Sequence, residues 1–227
     1  MLSSSFFTLV LAASIAATSA TILGVDSSQL VSKSTYSTAK GEGFTKAVIR
    51  GFEEACGVGG QVDPNFVGSY NNARAAGYTN IDAYWFPCSG SGNSCKSYAT
   101  QIADLGATFS AHSMDIGRIW IDMEADSTCN NWNYGAAGNL AQAKSMVAAA
   151  KASGYVFGIY SSPGEWSTLF GSYSPVVDSS VPLWFATYND VQSLTLSTPF
   201  GGWTSAFGKQ YTDVSASGDF DLNIFSS

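Results

Sequence analysis

The 227-residue sequence predicts an α/β fold: one irregular TIM-like barrel of five β/α units followed by three strands, in a single domain. Two observations carry this. Before Val181, short apolar runs rich in β-branched and aromatic residues recur with helical patterns between them, which implies parallel strands joined by right-handed crossovers. After Val181 the helical patterning fades and three strand-like runs remain, giving eight strands, the number that closes a small barrel. The length fits, because α/β barrels run to about 200–250 residues as one unit.

The first strand is expected at residues 22–25 and the second at 47–52. Asp63-Pro64 then supplies an N-cap and a proline at the first helical position, Phe66 and Ala73 follow, and Gly77 is the stop. A third strand at 81–86 leads to a helix at 95–105. A fourth strand at 119–123 precedes an Ala-rich helix at 136–153 closed by Gly154. The fifth strand is expected at 155–160, with Ser162-Pro163 opening a short helix at 164–170. The last three strands are expected at 183–188, 209–213 and 220–225. No internal repeat, linker or appended module interrupts residues 21–227.

Composition narrows the chemistry. With 45% hydrophobic, 14% aromatic and 12% charged residues, the chain has the make-up of a packed domain and not of a disordered one. The net charge of −7 and the lack of a basic run exclude the electrostatic footprint of a nucleic-acid binder. The single histidine, His112, removes His-rich metal sites and would have to serve alone in any Ser-His-Asp or Cys-His device. It lies before the fourth strand, away from the expected mouth, and is assigned a structural role. Carboxylates are the expected workers, with no metal and no cofactor.

The first 20 residues carry no charged side chain, and an apolar run over 6–17 ends in Thr18-Ser19-Ala20, the pattern of a signal peptide and its cleavage site. No later segment approaches the roughly 18 apolar residues of a membrane span. Residues 21–227 are therefore expected to be secreted, monomeric and without a membrane or nucleic-acid partner. In an oxidising compartment, four cysteines imply two disulfides, with three pairings open. Cys88 and Cys95 flank a Gly/Ser-rich loop that they can close, which leaves Cys56 with Cys129. No C-x-x-C spacing supports zinc, and no N-glycosylation sequon is present.

A parallel α/β barrel places its chemistry at the C-terminal ends of its strands. Asp26 ends the first strand, Asp122 and Glu124 end the fourth, and Asp221 sits in the last, the neighbour of the first if the barrel closes. Residues two apart on a strand share a face, so Asp122 and Glu124 point together while Ile119, Ile121 and Met123 face the helices. Two carboxylates on one side of an apolar strand raise each other's cost of ionisation. One can then stay protonated as an acid while the other stays charged, the division of labour that glycosidic cleavage needs. A lone acid at a strand end is more often a cap or half of an ion pair; four converging on one mouth are not.

Five ordered blocks resemble glycoside hydrolase family 25, the Chalaropsis-type lysozymes or N-acetylmuramidases. They are Gly24-Val25-Asp26-Ser27-Ser28-Gln29, Trp120-Ile121-Asp122-Met123-Glu124, Gly158-Ile159-Tyr160-Ser161, Leu183-Trp184-Phe185-Ala186-Thr187-Tyr188, and Lys209-Gln210-Tyr211 followed by Asp221-Leu222-Asn223. The resemblance implies a barrel of five β/α units plus three strands. It also implies hydrolysis of the β-1,4 bond between N-acetylmuramic acid and N-acetylglucosamine in peptidoglycan. By motif, Glu124 would be the general acid. Asp122 would either orient the 2-acetamido group for internal attack or stabilise positive charge on the sugar. Asp26 and Asp221 would complete the acidic floor. Bacterial members usually carry Tyr-His-Phe or Tyr-His-Tyr at the third strand, and a Glu-Gly where this chain has Glu53-Glu54. The third strand here reads Tyr84-Trp85-Phe86, closer to eukaryotic branches.

Sugars present apolar C–H faces beside hydroxyls, so aromatics with polar tips suit them. Tyr84, Tyr160, Trp184 and Tyr188 lie near the proposed mouth, Gln210 is placed to bond an acetamido group, and Asp82 shares a face with Tyr84. Trp85, Trp120 and Trp203 are assigned to packing. Family 18 chitinases carry D-x-x-D-x-D-x-E on the acid strand; aligned on Glu124, the earlier Asp positions here hold Gly117 and Trp120. A non-catalytic glycan-binding protein would be expected to have lost one of the four acids. Because bacterial walls are anionic, the charge of −7 predicts an acidic activity optimum.

Overall fold

The computed structural model describes residues 20–227. The expected signal peptide, apart from Ala20, lies outside the described residues. The elements run β1 (Thr21–Ser27), α1 (Lys33–Gly41), β2 (Phe44–Glu53), β3 (Gln61–Val62), α2 (Phe66–Ala75), β4 (Asn80–Trp85), α3 (Tyr98–Ala111), β5 (Ile119–Asp122), α4 (Gly135–Ser153), β6 (Phe157–Ser161), α5 (Pro163–Phe170), β7 (Leu183–Ala186), β8 (Gly208–Thr212) and β9 (Asp221–Ser226).

Eight strands close in the order β1-β9-β8-β7-β6-β5-β4-β2, with β2 returning to β1; the two-residue β3 only extends the end of β2. From β1 round to β8 through β2 and β4–β7 every neighbouring pair is parallel. Strand β9 departs from the parallel pattern and runs antiparallel to both β8 and β1. The segment between Thr212 and Asp221 is too short for the crossover of a dozen or more residues that a parallel return requires.

Local chemistry sets most boundaries. Ser97 caps α3 by accepting the Thr100 N–H at 3.1 Å, so this helix starts three residues later than residue 95 and runs on to Ala111, burying Ile102, Leu105 and Phe109 at helical spacing. Cys95 is held instead by its disulfide to Cys88. Gly154 and Gly171 stop α4 and α5 in the left-handed conformation. Asp63 is not the N-cap of α2: it accepts the Asn65 N–H in a preceding turn and pairs with Arg50. Helix α1 has no signature in the sequence. Its Lys-Ser-Thr-Tyr-Ser-Thr run has poor helix propensity, and the Ser32 cap with burial of Tyr36 and Ala39 holds it in place.

The barrel wall separates two apolar layers. Outward-facing Ile49, Ile81, Ile119, Ile121 and Ile159 pack under the helices with Leu105, Met146 and Trp166, and Trp85 and Trp203 belong to this layer. The lumen holds Val48, Trp120, Tyr160, Trp184, Ala186 and Phe225. Below them Lys46 pairs with Asp82 at 2.6 Å, and the same carboxylate accepts the Trp120 indole N–H at 2.9 Å. His112 is exposed at the C-terminus of α3, at the end of the barrel away from the strand C-termini.

Closure requires glycine where Phe225 enters. A Cβ at Gly24 would stand 2.7 Å from the Phe225 ring, and one at Gly208 would overlap the same ring from the other neighbouring strand. Gly208→Ala is expected to lower the stability of the folded chain by about 1–3 kcal/mol, because overpacking forces a wall strand or the ring to move. Urea unfolding followed by tryptophan fluorescence measures this, and a midpoint equal to wild type contradicts it.

Candidate active site

Strand direction brings the four predicted acids to one end. Asp26 and Asp122 lie at the C-terminal ends of parallel strands, and Glu124 lies two residues past β5's own Asp122. Asp221 reaches the same end because β9 is antiparallel: its first residue pairs with Asp26 across the β1–β9 ladder. Asp26, Tyr84, Asp122, Glu124, Tyr160, Trp184, Tyr188, Gln210 and Asp221 together line a cleft of about 110 Å³. A second cleft shares Asp26, Tyr84 and Asp221 with it and extends past Ser27, Gln29 and Asp219.

Three residues expected to face substrate have other engagements. Asp82 is on the same face as Tyr84 but one step deeper, where Lys46 and Trp120 engage it; alternation along a strand fixes the face and not the depth. Gln210 is buried with both ends of its amide occupied. Its Oε1 accepts from the Tyr160 hydroxyl at 2.7 Å and the Tyr188 hydroxyl at 2.8 Å, and its Nε2 donates to Asp26 at 2.9 Å and Asp221 at 3.0 Å. That uses its hydrogen-bonding capacity, so it organises the acids and has no free group for an acetamide. Trp184 is only 2% exposed, lies against Tyr160 with ring centroids 4.4 Å apart, and donates its indole N–H to Asn223. It is the packed floor beneath the cleft.

Asn223 has no role assigned from the sequence, although it shares β9's inward face with Asp221. Its amide donates to Asp26 Oδ2 at 2.6 Å while its Oδ1 takes the Trp184 N–H. Asp26 and Asp221 are thus tied down by amides. Asp122 differs: its Oδ1 is buried with no hydrogen-bond partner among the described residues.

Burial sets the protonation of all four acids. It pushes Asp26 and Asp122 well above the usual carboxylate range, helped by Asp221 beside the first and Glu124 beside the second. Burial and then the charge of Glu165 raise Glu124 to about 7, and burial with Asp213 raises Asp221 to about 6. Arg50 draws Asp122 the other way, but it is already paired with Asp63 and Glu53. The four cannot all be ionised near neutral pH, so the cluster holds at least one proton there.

The loop that carries Glu124 is fastened at several points. Asn131 donates to the Glu124 carbonyl at 3.2 Å and to Glu54 Oε2 at 3.0 Å, and accepts the Asp126 N–H at 2.7 Å. Glu54 is buried, with a pKa raised by burial to about 7. The Cys56–Cys129 disulfide joins the Glu54 and Asn131 segments. Across the loop, Glu165 accepts the Ala125 N–H at 2.9 Å. None of these contacts is visible in the sequence except through the cysteines. No group of three or more His, Cys, Asp or Glu among the described residues is arranged to hold a metal ion.

The chain is similar to known proteins in both sequence and fold. The sequence profile of the family described as Lysozyme-like protein 1 matches residues 17–211. The chain is 34% identical over 206 residues to "Probable GH family 25 lysozyme 2" of Dictyostelium discoideum, covering 90% of this chain and 91% of that one. It is 35% identical over 210 residues to "Lysozyme-like protein 5" of Caenorhabditis elegans, covering 92% and 91%. A muramidase structure from Trichobolus zukalii superposes with a TM-score of 0.68 at 23% identity, covering 91% of this chain and 94% of that one. A family GH25 lysozyme structure from Aspergillus fumigatus gives 0.68 at 18% identity, covering 92% and 95%. These two share the eight-stranded closed barrel with five helices. The profile match and the one-third identity over almost the whole length make this chain a member of the family 25 glycoside hydrolases, the GH25 lysozymes.

Proposed function

We propose that this protein is a secreted lysozyme that hydrolyses the β-1,4 bond between N-acetylmuramic acid and N-acetylglucosamine in bacterial peptidoglycan. The observation that supports it best is the acid mouth itself: Glu124, with a pKa raised to about 7, beside Asp122, whose buried Oδ1 has no partner among the described residues. Glu124 protonates the departing glycosidic oxygen. Asp122 acts on the sugar's other side, either orienting the 2-acetamido group for internal attack or stabilising the developing positive charge. Asp26 and Asp221, held by Gln210 and Asn223, complete the acidic floor beside them. Tyr84 and Tyr188 offer aromatic surface at the cleft, Tyr188 being 54% exposed. The second cleft gives an extended polysaccharide room to continue past Asp26 and Asp221.

Glu124→Gln keeps the shape and removes the proton donor. It is expected to lower kcat on purified peptidoglycan by about 10²–10⁴-fold. Mass analysis of the wild-type products should show muramic acid at the new reducing ends. Equal activity in the two proteins rejects the acid assignment, and an N-acetylglucosamine reducing end rejects the bond.

The pH dependence has a definite sign. Glu124 must be protonated to act, so kcat/KM should fall as pH rises through about 7. Lower pH also reduces the repulsion between a chain of net charge −7 and an anionic wall. Lysis of intact cells at low salt should be fastest below neutral pH; a maximum above neutral contradicts the proposal.

Stability should move the same way. The folded pKa values of about 7 for Glu124 and Glu54 and about 6 for Asp221 lie above the ordinary values of 4.5 and 3.8. A raised folded pKa contributes stability that is complete below the ordinary value and is lost as pH climbs through the folded one. The Tm should therefore rise when pH is lowered from about 8 to about 5, in a window set by those shifts. Calorimetry showing the reverse trend would mean that these acids are ionised in the folded state.

A further inference from the structure

Glu165 occupies a position whose ordinary use is different from the one it has here. Ser162 caps α5, its Oγ accepting the Glu165 N–H at 3.0 Å. Ser162-Pro163-Gly164-Glu165 therefore has the S-x-x-E spacing of a capping box. In that motif the glutamate carboxylate turns back to the N-cap N–H and serves its own helix. The Glu165 carboxylate turns outward instead, and its Oε2 accepts the N–H of Ala125, forty residues away in sequence, at 2.9 Å. Ala125 is the residue immediately after Glu124.

We propose that Glu165 is a positioning residue for the acid Glu124: it fastens the backbone that carries the acid and presents a further negative charge to its carboxyl. The proposal rests on Glu124 being the acid. Glu165 is half-buried and does not line the cleft, so it acts through Glu124 and not on substrate. The need for such a contact follows from β5, which ends at Asp122; Glu124 stands past the last ladder residue, where strand pairing no longer fixes it. Asn131 holds the Glu124 carbonyl from one side and Glu165 holds the next N–H from the other.

The groups facing Glu124 come from several elements: Asp26 on β1, Asp122 on its own strand, Tyr160 on β6, Tyr188 after β7 and Asp221 on β9. Glu165 is the contribution of α5. After burial, its charge is the largest influence raising Glu124, ahead of Asp221, and it raises Asp122 as well. Removing a negative neighbour lowers a carboxyl pKa, so losing Glu165 makes Glu124 a stronger acid that deprotonates earlier.

Two variants of the full chain separate fastening from charge. Glu165→Gln keeps a carbonyl to accept the Ala125 N–H and removes the charge; Glu165→Ala removes both. The Glu124 carboxyl is titrated by carbon-13 NMR without substrate, so the reading does not depend on which glycan is cleaved. Its midpoint should fall by about half a unit or more in both variants, as expected for one unit charge removed at close range. On peptidoglycan, Glu165→Gln should keep its maximal kcat with the basic limb moved to lower pH. Glu165→Ala should lose roughly tenfold in kcat with KM unchanged, from loss of the hydrogen bond that fastens the Ala125 N–H. A midpoint unmoved in Glu165→Gln, or a wild-type kcat in Glu165→Ala, overturns the proposal. Wild type that leaves peptidoglycan intact would instead overturn the proposed function, and the NMR titration alone would then decide the role of Glu165.

Discussion

The antiparallel entry of β9 between β8 and β1 is the constraint on which the rest of the site depends. A parallel β9 would carry Asp221 to the far end of the barrel and leave the mouth with three acids. In the observed register Asp221 stands opposite Asp26, and Gln210, on the neighbouring strand, donates to both carboxylates at once. Asn223, two residues along, reaches Asp26 on the same face and fixes Trp184 behind it. The same strand brings Phe225 into the lumen, and the bare backbones of Gly24 and Gly208 are what allow its ring to fit between them. Closure, acid placement and lumen packing are therefore one event.

The lumen also sorts charge by depth. At the bottom Lys46 pairs with Asp82, and Arg118 lies over the Trp120 and Phe207 rings beside them. Above it lies a layer of Val48, Trp120, Trp184 and Phe225. The acids at the mouth sit on this apolar floor, with Arg50, already committed to Asp63 and Glu53, as their cationic neighbour. Burial without neutralisation is what lifts Asp26, Asp122, Glu124 and Asp221 together. A free cation in the mouth would hold these groups ionised and remove the proton that the chemistry needs.

Much of this was legible in the chain. Period-two alternation placed Asp122 with Glu124 and turned Ile119 and Ile121 to the helices, because a strand has only two faces. The same rule could not separate Asp82 from Tyr84, since both point inward and differ only in depth. It could not show that Gln210 spends all its bonds on protein groups, because partners come from neighbouring strands whose register the sequence does not state. Helix α1 escaped because its Ser/Thr-rich run is helical only through its cap and the burial of Tyr36. Asn131 and Glu54 are 77 residues apart and meet through a loop, where no periodicity applies.

The division between what strands and loops can hold has a chemical consequence. Asp122 is the last residue of β5 and is paired in register with Tyr160, so the ladder alone sets its position. Glu124 is beyond the ladder, and its placement passes to Asn131, Glu165 and the disulfide between Cys56 and Cys129. The segment that presents Asn131 is itself held in uncommon backbone geometry, with Asn130 at φ 47° and Trp132 at φ 52° on either side. Left-handed conformations at two non-glycine residues are costly and persist only where surrounding contacts over-determine them. Here the contacts are the buried Trp132 side chain and the Asn131 bonds to Glu54 and the Glu124 carbonyl. Ser113 and Asp190 share this geometry elsewhere, but beside Asn131 it falls where a loop has to do what a strand does in the barrel wall: hold one carboxyl in a fixed position relative to another.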